Sequence, residues 1–128
     1  MKRYKFNLLF FVLIALNVVT CEALEQKVVV MRHGQSEHNV LGVYNSNPEA
    51  PKYTFSNLTK TGIKQVKTTA KRLLHEGVNK SNVDLLIVSP FPRTLQTAQI
   101  LVDVGLVNKD NIIVEEGLSE IKILGREG

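Results

Sequence analysis

The chain has 128 residues, 44% of them apolar and 22% charged, a composition that suits one small globular domain and excludes a disordered or collagen-like chain. Its single Cys excludes an intrachain disulfide framework and a Cys-based structural zinc site. The formal net charge of +4 looks mildly basic, but the charge is unevenly spread.

Residues 1–23 read as an address. Lys2, Arg3 and Lys5 make a positive start, Leu8 to Val19 is apolar except for Asn17, and Cys21 and Ala23 supply small residues before the expected cut. The apolar run covers about 12 residues, short of the roughly 20 that span a bilayer. The sequence therefore predicts a cleaved secretory leader and an exported protein, periplasmic or secreted. An uncleaved anchor and a lipidated Cys21 are the alternatives, and the leader is the only expected membrane contact. Without it, residues 24–128 carry 13 Lys+Arg and 11 Asp+Glu, a net charge of +2, and no Cys. Much of the basic excess is thus a targeting signal, which argues against a nucleic-acid partner.

The rest of the chain alternates. Lys27 to Met31, KVVVM, has the β-branched run of a buried strand. Residues 40–57, rich in Asn, Pro, Ser and Tyr, read as a long loop. Residues 59–75 place Ile63, Val66, Ala70, Leu73 and Leu74 at helical spacing, and Gly77 offers a left-handed cap. Lys60, Lys64, Lys67 and Lys71 form a stripe on that helix, read as a solvated face, with attraction of anions as the alternative. Asp84 to Ser89 is a second strand, stopped by Pro90. Residues 92–104 are a second amphipathic helix, carried by Leu95, Ala98, Gln99, Ile100 and Val102, with Pro92 suited to its first turn. Asn111 to Glu115 is a third strand. Strands alternating with helices imply an α/β domain with a parallel sheet. Two glycosylation sequons, Asn57-Leu58-Thr59 and Asn79-Lys80-Ser81, matter only in a eukaryotic secretory pathway.

Two polar clusters directly follow predicted strands, where parallel α/β proteins place their sites. The first is Arg32-His33-Gly34 and the second runs from Ser89 to Thr94. Two arginines can fork onto phosphate oxygens, and Asn39 adds an amide donor. A neutral His33 keeps a ring nitrogen lone pair that can attack phosphorus. Alone, these three residues are a weak signal, since a lone His more often serves structure.

Their companions change that reading. Arg32-His33-Gly34-Gln35-Ser36-Glu37-His38-Asn39 resembles the RHG-x-S/T-x-x-N signature of the histidine phosphatase superfamily, in the branch that contains phosphoglycerate mutases. Leu58 to Gln65 resembles its LT-x-x-G-x-x-Q, and Ser89 to Ala98 its SP-x-x-R-x-x-x-TA. Leu118-Ser119-Glu120 resembles its L-x-E, with Glu127-Gly128 in place of the following EG. The resemblance implies a three-layer α/β sandwich and a phosphomonoester hydrolase that needs neither metal nor other cofactor. His33 would be the nucleophile and Glu120 the general acid. Arg32, Asn39 and Arg93 would bind the transferred phosphate, and Ser89 would help position the pocket. No role is assigned to Gln35, Glu37 or His38. The substrate would be a phosphorylated small molecule or phosphoprotein.

The family pattern also includes a second pocket histidine, well beyond the acid. After His33 the sequence has only His38 and His75, and neither matches. Glycine stands five residues after Glu120, at Gly125, where related sequences place it after four. The sequence therefore predicts a domain incomplete at its C-terminus, residues 24–128 forming its N-terminal part. This leaves a non-catalytic phosphate-binding or interaction protein as the alternative to the hydrolase. A mutase-type phosphotransferase is a further alternative, weakened because the loop Leu41 to Pro48 lacks the Trp typical of such enzymes.

Overall fold

The computed structural model describes residues 26–119. The chain divides into two units, Met1–Val30 and Met31–Gly128. Among the described residues every element falls in the second: α1 (Glu37–Leu41), α2 (Lys60–His75), β1 (Leu86–Val88), α3 (Pro92–Asp103) and β2 (Ile112–Val114), with single 3-10 turns at Lys109–Asn111 and Glu116–Leu118. The expected leader, the boundary at residue 24, Glu120 and Glu127-Gly128 lie outside the described residues.

Helix α2 forms where the periodicity places it. Thr59 precedes it in an extended conformation, and its hydroxyl accepts from the Gly62 N–H at 3.0 Å, satisfying one of the free donors of the first turn. Its buried face is Gly62, Val66, Ala70 and Leu73, while Ile63, expected in the core, lies at the exposed rim. The four lysines of the stripe are exposed.

Both long helices end the same way. The Val78 N–H reaches back to the Leu73 carbonyl and Gly77 N–H to Leu74, while Leu106 and Gly105 bond Leu101 and Val102 in the same pattern. This closure needs a left-handed residue, and glycine supplies it at both ends, with φ +90° at Gly77 and +79° at Gly105.

Helices α2 and α3 pack together, and α3 packs on β1. Leu58, Val66, Ala70, Leu73, Ile100, Leu101, Leu106 and Val107 form the core. On α3, Thr97 and Leu101 are buried while Leu95 and Gln99 point to solvent, so the helix is rotated from the face the sequence suggested. Strands β1 and β2 pair in parallel, Leu86 with Ile112 and Val88 with Val114. The α/β class with a parallel sheet holds.

Two expectations are corrected. Lys27 to Met31 forms no strand ladder, and Val28 and Val30 are 81% and 92% exposed. β-branched residues favour extended backbone, but a buried strand also needs hydrogen-bonded neighbours and covered faces. The expected loop from residue 40 begins inside α1, a five-residue helix too short for periodicity to reveal. The remainder of that loop is well tied. The Asn45 side-chain amide donates to the Thr54 carbonyl at 2.7 Å and accepts from the Thr54 N–H at 3.3 Å, standing in for a strand pair.

Candidate active site

The site is built by a close approach of backbone. Residues 34–36 lie against the start of α2, and Gly34 and Gly62 leave no room between them. A Cβ on Gly62 would sit 2.1 Å from the Gln35 carbonyl oxygen, and one on Gly34 would sit 2.4 Å from the Gly62 oxygen. The Thr59 N–H donates to the Gln35 carbonyl at 2.9 Å, and Ser36 bridges to Leu58. From the α3 side, the Thr97 hydroxyl accepts the Gly34 N–H at 3.4 Å. The glycines of two motifs and the Thr of a third therefore hold one loop, the loop that carries Arg32 and His33.

His33 is held in one tautomer. Its Nδ1 lies 2.6 Å from the Gly34 carbonyl oxygen, which can only accept, so Nδ1 carries the proton. Nε2 then holds the lone pair, and Arg93 Nε–H donates to it at 3.2 Å. Arg93 is buried, 4% exposed, with its guanidinium 4.4 Å above the Phe91 ring centroid and Nη1 donating to the Asn45 carbonyl at 3.3 Å. Stacking and a carbonyl bond fix the fork next to the imidazole. The turn feeding α3 is held by Ser89 and Thr94, whose hydroxyls lie 2.9 Å apart, the latter also donating to a backbone carbonyl. Ser89 therefore positions the helix that presents Arg93.

Asn39 belongs to α1. Its Oδ1 accepts the Ser36 N–H at 2.9 Å, so its amide nitrogen is the end left for a ligand. Arg32 and Asn39 line both of two adjoining cavities. One, about 420 Å³, is lined by Arg32, His33, Gln35, Asn39 and Gln65. The other, about 280 Å³, adds Ser36, His38, residues 42–45 and Arg93. Four of the five residues expected from the sequence thus surround one opening, and Glu120 lies outside the described residues. Among the described residues, no cluster of His, Cys, Asp and Glu suits a metal ion.

The sequence reading missed Gln35, Gln65 and His38. His38 is 8% exposed, with Nε2 3.3 Å from the Thr54 hydroxyl and Nδ1 without a partner. Gln65 was visible as the last residue of the second motif, but its direction depends on the Gln35 backbone 30 residues away.

A histidine with a fixed lone pair, bonded by one arginine and sharing a cavity with another, offers a nucleophile beside donors suited to phosphate. The model of the histidine phosphatase superfamily (branch 1) matches residues 28–128, and the chain belongs to this family. It is 39% identical over 72 residues to phosphoglycerate mutase-like protein 1 of Arabidopsis thaliana, covering 56% of this chain and 25% of that protein. It is 35% identical over 77 residues to a phosphoglycerate mutase of Candida albicans, covering 60% and 27%. The chain thus spans about a quarter of the length of these curated relatives. Among solved structures it resembles phosphoserine phosphatase from Entamoeba histolytica, at TM-score 0.56 and 30% identity, covering 76% of this chain and 41% of that one. It also resembles the Rv3214 protein of Mycobacterium tuberculosis, at TM-score 0.53 and 31% identity, covering 76% and 42%.

Proposed function

We propose that the chain carries the nucleophilic part of an exported phosphomonoester hydrolase that works through a phosphohistidine on His33. One observation supports this above the others: the Gly34 carbonyl holds the Nδ1 proton, leaving the Nε2 lone pair beside Arg93. In the first step Nε2 attacks phosphorus, an N–P bond forms, and the P–O bond to the leaving group breaks. Arg93 exchanges its bond to Nε2 for the phosphate oxygens. Arg32 and the Asn39 amide bind the same group, and charge gathering on those oxygens meets fixed donors. Glu120 is proposed to give the leaving oxygen its proton. Water then attacks phosphorus and gives a proton back to the Glu120 carboxylate, the N–P bond breaks, and phosphate leaves with His33 and Glu120 restored.

The substrate class is a phosphorylated small molecule, or a phosphoprotein side chain. The amoebal phosphatase is described in complex with 3-phosphoglyceric acid, which supports the former. Export through residues 1–23 belongs to the same proposal, and N-terminal sequencing of the secreted protein tests it.

A second reading, phosphate binding without turnover, has its own observation. His75 is exposed at the far end of α2, and His38, although it lines the smaller cavity, is held by the Thr54 hydroxyl. Incubation with a radiolabelled phosphodonor separates the readings. The hydrolase predicts an acid-labile label that His33→Ala abolishes. A chain that binds phosphate and never labels overturns the hydrolase in favour of the second reading.

A further inference from the structure

Helix α2 is electrically unlike the rest of the chain. Residues 24–128 hold 13 Lys+Arg and 11 Asp+Glu, and five of those cations but none of the carboxylates lie in α2. Outside α2 the same stretch has a net charge of −3. Arg72 is engaged by Glu76, just past the helix end, at 3.1 Å. The other four cations, Lys60, Lys64, Lys67 and Lys71, are exposed. Each residue advances a helix by about 1.5 Å and turns it by about 100°, so these four stay within about 60° of arc and form a row about 17 Å long. Like charges three and four residues apart repel and destabilise the helix that carries them. The row serves neither the cap, which is Thr59, nor the core face, which is Gly62, Val66, Ala70 and Leu73.

We propose that this row is a docking surface for a linear sulfated polysaccharide, which lies along α2 and retains the exported protein. The proposal goes beyond the phosphatase reading and takes from it only export. The row is one lysine wide, which suits anions strung along a chain. Each ammonium is a point charge on a flexible stem, so each can meet a sulfate singly. A bilayer holds a basic helix that also inserts an apolar face, but the apolar face of α2 is buried in the core. Single-stranded nucleic acid is held by aromatic rings that stack on bases, and α2 contains no Phe, Tyr or Trp. Gln65, which lines the larger cavity, is turned about 100° or more from every lysine of the row, so a chain on the row leaves the phosphate site open.

Titration of the full chain with heparin over a range of salt concentrations tests this. The logarithm of the affinity should fall with the logarithm of salt at a slope of about four, one released counterion per lysine. Lys64→Gln with Lys67→Gln, a pair of exchanges that keeps helix propensity, should cut the slope to about two. Two controls should leave it unchanged. Lys80→Gln with Lys109→Gln removes the same charge from exposed positions off the helix, and Arg32→Gln removes charge from the phosphate cavity. Failure of the wild type to bind heparin at low salt would overturn the proposal. So would an equal loss in either control, or tighter binding to phosphatidylserine vesicles or single-stranded DNA than to heparin. None of these results bears on phosphate labelling of His33, so the phosphatase reading stands or falls separately.

Discussion

Gly62→Ala sets two effects against each other. Alanine is the better helix former, and in a helix interior the exchange gains up to about 1 kcal/mol. At this position the new methyl would lie 2.1 Å from the Gln35 carbonyl oxygen and 2.8 Å from its nitrogen, where anything under 3.0 Å forces a shift. These are backbone atoms, so they cannot swing aside as a side chain would. The loop must withdraw by about 1 Å, the scale on which overpacking costs roughly 1–3 kcal/mol. The same movement stretches the bonds from Thr59 N–H to the Gln35 carbonyl and from Gln35 N–H to Gln65, both 2.9 Å. Each contributes about 1 kcal/mol. The close approach therefore wins by about 2–4 kcal/mol, which in a domain near 100 residues lowers Tm by roughly 10–25 °C. Circular dichroism melts measure this directly. Gly42→Ala is the comparison: nothing lies within 4 Å of its Cβ, but its φ of +67° makes alanine cost about 1–2 kcal/mol. A Gly62→Ala protein that melts at or above the wild-type temperature would refute the packing of the first motif on the second.

Other substitutions probe the remaining links. Arg93→Lys keeps the charge but loses the fork that reaches both His33 and Asn45, and phosphate affinity by calorimetry should fall at least about tenfold. Thr59→Ala removes the α2 cap and the partner of Gln35, and urea titration should show a loss of about 1–2 kcal/mol. Arg72→Ala breaks only the exposed pair with Glu76, so stability should change by less than about 0.5 kcal/mol.

Much of this molecule was legible in the chain because local rules and tertiary packing agree. Helix α2 is announced by Thr59 at one end, Gly77 at the other, and an apolar stripe between. Arg93 and His33, 60 residues apart, were paired by motif resemblance, and the structure places them in hydrogen-bond contact. What failed was whatever depends on a distant partner. The Val28 to Val30 run has strand propensity, yet propensity does not supply a neighbouring strand. Leu95 and Leu101 are equally apolar, and only the packing of α3 on α2 decides which is buried. The direction of the Gln65 amide follows from one backbone N–H on another segment. Nothing local in a glutamine reveals it.

The central claim concerns one nitrogen atom. Phosphorylating the chain with ¹⁵N-labelled histidine and recording nitrogen–phosphorus coupling by NMR identifies the attachment site. The account predicts phosphate on Nε2 of His33, with the Nδ1 proton still bonded to the Gly34 carbonyl. Phosphate on Nδ1, or on His38 or His75, would contradict it.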